Sequence, residues 1–272
     1  MIVTKEQQII VKMPEDASRT VLEKRIEEFV DLDDVSNMHY VEIFLNATQR
    51  PYFKEKGPDY WLNSHSIYVG ALASRLGEEV QKAHPEYFNK HIDIRIDTLF
   101  IMGLLHDIGK YWLKDPSLLD KTDTLTDKDI RTLRLHPEIG MVILDTDYLI
   151  FGHRDAGDVI NSVIAHHEIA KKGNGYPYGE DPHELPEYMH IISLADYHIT
   201  KIDARPYTIP ITEAEAKRWA IEQRFGNVIP KPIFKTWLDT DFNILDDFSH
   251  KQEFLAHPVK NSQTLYLTTE KY

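Results

Sequence analysis

The chain has 272 residues, 42% hydrophobic and 28% charged, proportions that allow a large core in one big domain or two modest ones. A formal charge of −13 argues against a general nucleic-acid surface, so no DNA binding is expected; bound divalent cations could still reverse the local sign for a small anionic substrate. With no cysteine, disulfides, thiolate zinc sites and a cysteine nucleophile are excluded, and a metal must be held by nitrogens of the 14 histidines or by carboxylate oxygens. No apolar run approaches the roughly 18 residues that cross a membrane, and the N-terminus lacks a basic segment followed by an apolar one; the expectation is a cytoplasmic protein.

Residues 1–14 alternate apolar and polar around Ile9, Ile10 and Val11 and read as a short strand or arm. Ser18 is a candidate N-cap for an amphipathic helix over 20–30, closed by Asp31, Asp33 and Asp34, and a second helix is expected over 35–47. Residues 49–59, with two prolines and a glycine, read as a loop, and so does 84–93. Between them, Trp61, Ile67, Val69, Leu72, Leu76 and Val80 mark a long helix over 60–80 that carries His65.

A helix over 94–106 then delivers His106 and Asp107 at the end of an apolar run, with Lys110 one turn on. A buried Asp is costly unless it is paired or metal-bound. Either Lys110 or a metal shared with His106 would neutralise Asp107.

Thr126 is an N-cap for a helix to 132, whose apolar face Leu133 and Leu135 continue. His136-Pro137 starts the next helix, since Pro suits a first turn, and residues 141–144 are expected to be its buried face. A loop over 151–156 leads to a helix with Val159, Ile160, Val163 and Ile164 that ends in His166-His167-Glu168. The run from Lys171 to Gly179 turns sharply. From Pro186 a helix presents Asp196, Arg205-Pro206-Tyr207 follows, and helices near 212–224 and 233–238 precede a tail at 264–272. The fold class expected is all-α.

His65, His106, Asp107, His136, His166, His167 and Asp196 each lie on or at the end of a helix with an apolar face, so they can converge on one core. All suit Zn, Mn, Fe or Ni. Five imidazoles are too many for one site with an open position; two ions about 3.5–4 Å apart fit better, acidifying a bridging water toward hydroxide and clamping phosphoryl oxygens. Lys110 and Arg205 would then stand behind the ligands or meet a substrate phosphate.

The ordered set His65, His106-Asp107, His136, His166-His167 and Asp196 resembles the HD superfamily of metal-dependent phosphohydrolases, and His106-Asp107-Ile108-Gly109-Lys110 matches its signature. The HD-GYP subfamily is the nearer likeness, through His166-His167-Glu168, Asn174-Gly175-Tyr176-Pro177, Ser193-Leu194-Ala195-Asp196 and Arg205-Pro206-Tyr207. The resemblance implies an HD-domain helical bundle over 59–272 with flanking helices, residues 1–58 being an N-terminal helical extension.

It also implies hydrolysis of a cyclic dinucleotide of the cyclic di-GMP type. His65, His106, Asp107 and Asp196 would bind one metal, and Asp107, His136, His166 and His167 the other. Asp107 would bridge the two ions and, with Lys110 beside the reacting phosphate, form the catalytic pair. Gly175, Tyr176 and Pro177 would line the substrate cleft, with Arg205 a further substrate contact.

Some members carry a glutamate one turn before the first histidine to support a third metal; Trp61 stands there, which favours two. Lys171-Lys172 replaces the usual acidic residue before the glycine loop, and the second aspartate common after Asp196 is missing. Alternatives within the same chemistry are a nucleotidase or phosphomonoesterase, or a metal-bound nucleotide sensor with little turnover. The substrate is in each case a small phosphate ester or nucleotide, and a homodimer is compatible with the sequence.

Overall fold

A computed structural model describes residues 17–151, 155–169, 174–206 and 208–244, with backbone alone for 17 and 147–151. The expected arm at 1–14 and tail at 264–272, together with Lys171, Lys172, Gly173 and Tyr207, lie outside the described residues. Among the described residues every regular element is helical, as expected; an isolated bridge joins Arg205 to Thr208.

The helices are α1 (Ala17–Ile26), α2 (Val35–Thr48), α3 (Pro51–Lys56), α4 (Trp61–Ala83), α5 (Pro85–His91), α6 (Ile96–Leu105), α7 (Asp127–Leu133), α8 (His136–Phe151), α9 (Ala156–Ala165), α10 (Glu187–Ile202), α11 (Glu213–Glu222) and α12 (Lys231–Asp239). Short 3₁₀ turns cover Ile108–Trp112 and Pro116–Asp120. None of these helices is long and apolar enough to cross a membrane.

Two segments expected as loops are helical. Pro51 and Pro85 each sit in a first helical turn, where the missing N–H costs nothing, so these prolines start α3 and α5. Each helix buries one aromatic ring, Phe53 and Phe88, and Gly57 in the left-handed region (φ 81°) stops α3. Asp34, expected only to close α1, caps α2 by accepting the Ser36 and Asn37 N–H groups. The expected buried run on α8 is only partly inside: Leu144 is buried, but Val142 is exposed, as are Leu135 and, on α1, Val21. Four consecutive residues cannot share one face at 3.6 per turn.

Helix α4 runs through the middle of the molecule, against α6 along most of its length and against α10, α12 and α5 on other sides. Its fully buried Leu62, Leu72 and Leu76 each stabilise the fold by about 1.5–3 kcal/mol. The α4–α6 crossing is closest at two glycines: a Cβ added to Gly103 would lie 2.6 Å from Gly70 Cα. That contact sets how deep α6 sits, and thus where its C-terminal His106 and Asp107 arrive. Leu22, Ile26, Val41 and Phe44 of α1 and α2 belong to the same core cluster as α4 and α6.

Candidate metal centre

Helix α6 carries nothing but apolar side chains, Thr98 and Gly103 into the core from residue 98 onward, then stops at His106. The last carbonyls of a helix lack intrahelical partners. His106 Nδ1 lies 2.6 Å from Gly103 O, and a carbonyl can only accept, so Nδ1 carries the proton. The pattern repeats twice: His166, at the end of α9, donates from Nδ1 to Val163 O at 2.8 Å, and His136 donates to Leu133 O, the last residue of α7, at 2.7 Å. In the neutral rings of His136 and His166 Nε2 is left as a bare lone pair.

These nitrogens meet Asp107, 1% exposed, on its two sides. Oδ1 lies 3.1 Å from His136 Nε2 and 3.8 Å from His166 Nε2. Oδ2 lies 3.2 Å from His106 Nε2 and 3.6 Å from His65 Nε2. Donor atoms of Asp107, His136, His166 and His167 all fall within 4.8 Å of one another, and so do those of His65, His106 and Asp107. Asp196, from α10, places Oδ1 3.2 Å from His65 Nε2 and 3.7 Å from His106 Nε2. The seven residues expected to hold metal, carried on or just after five helices (α4, α6, α8, α9 and α10), are thus brought together.

His136 Nε2 and His166 Nε2 face each other at 3.2 Å, and His106 Nε2 and Asp107 Oδ1 are buried without a hydrogen-bond partner. Burial pushes His65 and His166 down to about 3, aided by Arg205 and by His106 respectively, and holds His136 and His167 below the usual imidazole value. Neutral imidazole is the form that binds metal. Burial opposes a proton on His106, but Asp107 and Asp196 outweigh it and push the ring up to about 9. Burial would raise both carboxyls; His106 and Lys110 hold Asp107 well below the carboxylate range, and His106 and His65 do the same for Asp196. Orphaned acceptors, bare lone pairs and ionised carboxylates together make a donor set that fits divalent cations.

Lys110 and Arg205, expected near the substrate phosphate, are engaged inside the cluster. Lys110 Nζ is 2.5 Å from Asp107 Oδ2, so the ion pair considered from the sequence is present. Arg205 Nη2 lies 2.9 Å from His65 Nδ1 and 2.8 Å from Thr200 Oγ1, with its guanidinium over the Trp61 ring. Thr200 in turn donates to Asp196 Oδ1 at 3.0 Å.

The glycine loop is built on a residue whose role the sequence did not reveal. Glu168, fully buried, accepts the backbone N–H groups of Tyr178, Gly179 and Glu180 at 2.5, 3.2 and 2.9 Å. A Cβ on Gly175 would sit 2.6 Å from Glu168 Oε2, so only glycine lets the loop close down on the carboxylate. The folded loop lays the Tyr176 ring on His167 at 4.4 Å between centroids, with the Arg134 guanidinium 4.9 Å from the Tyr176 ring centroid. Gly175, Tyr176 and Pro177 therefore border the His136/His166/His167 half. Gly109 is equally constrained, because a Cβ there would fall 1.9 Å from His136 O. Arg134 gave no signal in the sequence; Thr200, one turn after Asp196, could have been found by spacing.

The HD domain family matches residues 63–200, the stretch from two residues before His65 to Thr200. The chain belongs to the HD domain family. Its curated relatives include a "Probable cyclic di-GMP phosphodiesterase" of Vibrio cholerae serotype O1, 31% identical over 66% of this chain and 39% of the relative. A "Cyclic di-GMP phosphodiesterase PA4108" of Pseudomonas aeruginosa is 29% identical over 60% of the chain and 36% of the relative. The "Cyclic di-GMP phosphodiesterase response regulator RpfG" of Xanthomonas campestris pv. campestris is 28% identical over 63% and 40%. The HD domain chain thus spans well under half the length of these relatives.

Proposed function

We propose that this HD domain is a metal-dependent phosphodiesterase of the HD-GYP type that hydrolyses a cyclic dinucleotide such as cyclic di-GMP with two divalent ions, drawn from Fe, Mn, Zn or Ni. One observation carries the proposal: Asp107 is a single buried carboxylate with Oδ1 toward His136 and His166 and Oδ2 toward His106 and His65. The names of the relatives supply the substrate class.

His65, His106, Asp107 and Asp196 would hold one ion, and Asp107, His136, His166 and His167 the other. Two such ions supply Lewis-acid charge and a water acidic enough to attack a phosphodiester near neutral pH. The protein's own part is positioning. The carbonyl-anchored imidazoles cannot swing away, so the donor set pays little reorganisation when it is filled. Lys110, on the rim of the same carboxylate, turns its ammonium to the charge that develops on the phosphate. Tyr176, backed by Arg134 and fixed through Glu168, walls one half against water. Helices before residue 59 are packing elements, and a homodimer is compatible with this assignment.

The test is direct. Metal-loaded protein converts cyclic di-GMP to a linear dinucleotide, and Asp107→Ala loses metal and turnover together. Metal-loaded protein that leaves a broad panel of phosphodiesters untouched overturns the proposal.

A further inference from the structure

The imidazoles of the cluster are each oriented by a group behind them, and His167 is oriented differently from the rest. His106, His136 and His166 lean through Nδ1 on a backbone carbonyl three residues back, and His65 meets Arg205. His167 lies past the end of α9 and is the half-buried member of its metal-binding group; among the described residues its ring makes no hydrogen bond.

The His167 ring is held by a stack instead. The Tyr176 ring lies on it at 4.4 Å between centroids, with 23° between the planes, and the Tyr176 N–H donates to the His167 carbonyl at 3.3 Å. With one face of Tyr176 covered by His167, the Arg134 guanidinium, 4.9 Å from the Tyr176 centroid, takes the other. A guanidinium is attracted to the electron-rich face of a phenol ring, and its flat shape covers that face. Arg134 is the C-cap residue of α7, directly after Leu133, whose carbonyl holds His136. One junction between α7 and α8 therefore serves two imidazoles: His136 by a carbonyl, and His167 by way of Tyr176.

We infer that Arg134 is a positioning residue of the metal centre: through the Tyr176 ring it fixes the His167 imidazole as a ligand, the task a carbonyl performs for the neighbouring rings. A histidine left to rotate about its side-chain torsions must be ordered when the ion arrives, and that cost reads out as weaker binding. Glu168 holds the same loop, but it grips the backbone at 178–180, beyond Tyr176. Arg134 acts on the ring itself. The inference rests on His167 being a metal ligand, and not on which ester is cleaved.

The experiment is a Zn²⁺ titration of the metal-free full chain, with the histidine rings followed by ¹H–¹⁵N spectra. In wild type the His167 ring signals should be sharp before Zn²⁺ is added. Arg134→Leu should broaden them and leave His106 and His166 as they were, and the Zn²⁺ equivalent that shifts His167 should bind about tenfold more weakly. Arg134→Lys, which keeps a cation on the ring, should recover most of that affinity. Tyr176→Leu should reproduce the Arg134→Leu loss, and the double variant should be no worse than either, because both break one stack. Unchanged His167 signals and Zn²⁺ affinity in Arg134→Leu, equal losses in the leucine and lysine variants, or additive losses in the double variant overturn the inference. So does broadening of all five rings, the mark of a structural role only. A wild type that binds no Zn²⁺ refutes the ligand assignment and the inference with it, whereas a Zn²⁺-loaded chain inert toward cyclic di-GMP refutes the proposed function alone.

Discussion

The Glu168 carboxylate lies 2.5 Å from the Tyr178 backbone nitrogen, a buried charge spent on holding a loop. It also takes the Gly179 and Glu180 N–H groups, so three donors depend on one side chain. Glu168→Gln keeps the shape but turns an amide NH₂ toward donors. The variant should lose about 2–3 kcal/mol in chemical denaturation and become cleavable at residues 174–180 in limited proteolysis, with metal content unchanged in elemental analysis. A loop as protease-resistant as wild type would contradict this.

Gly109 and Gly157 form a matched pair for substitution. Gly109→Ala drives a Cβ to 1.9 Å from His136 O, whereas a Cβ at Gly157 in α9 meets nothing within 4 Å. The first should cost more than about 2 kcal/mol and lower the bound-metal count in elemental analysis. The second should be neutral or stabilise by about 0.5–1 kcal/mol, since alanine is the better helix former. Equal melting temperatures for the two variants would refute the close contact.

Removing metal should be felt as lost stability. The bare cluster leaves His106 Nε2 and Asp107 Oδ1 unpartnered and two imidazole lone pairs opposed. At 100-fold excess over Kd, binding to the folded state alone stabilises by about 2.7 kcal/mol. Treatment with a chelator should therefore lower the melting temperature by roughly 5–10 °C, and Mn²⁺ should restore it. An unchanged melting temperature would argue against the ligand set.

His190, 1% exposed in α10, offers a pH test away from the cluster. Burial pushes its imidazole down to about 4, the His183 charge adds to this, and a hydrogen bond with the Pro182 backbone opposes it. Between its unfolded value of about 6.5 and about 4, the unfolded chain binds a proton that the folded chain refuses, so stability falls as pH falls across that window. His190→Leu should remove up to about 3 kcal/mol of that decline, read as the difference between wild-type and variant denaturation curves at pH 7 and pH 4. Parallel curves at the two pH values would disprove it.

What could be read from residue order was whatever one side chain announces alone. An aspartate delivered by an apolar helix demands a counter-charge, and five helix-borne histidines with Asp196 supply the rest of a metal set. The starts of α4, α8 and α10 were legible to within one residue, from the apolar period of the first and from the prolines at 137 and 186 for the other two. Pro51 and Pro85 were misread because proline starts a helix as readily as it interrupts one, and position alone does not distinguish the two. Glu168 was legible as a residue but not as the loop's anchor, because its partners are backbone N–H groups that have no letter in the sequence. The Arg205–His65 contact spans 140 positions, and only the packing of α10 beside α4 brings it about.

Three of the imidazoles lean on a carbonyl three residues back, at the last turn of α6, α7 or α9. Helix length is therefore a gauge for the centre: each residue added or removed before the stop turns the terminal ring by about 100° and shifts it about 1.5 Å along the axis. A single-residue insertion in the buried body of α6 would send His106 and Asp107 to different compass bearings while leaving composition and hydrophobicity almost untouched. The metal chemistry of this chain is in that sense a matter of counting, held in the number of residues between a helix's start and its final carbonyl.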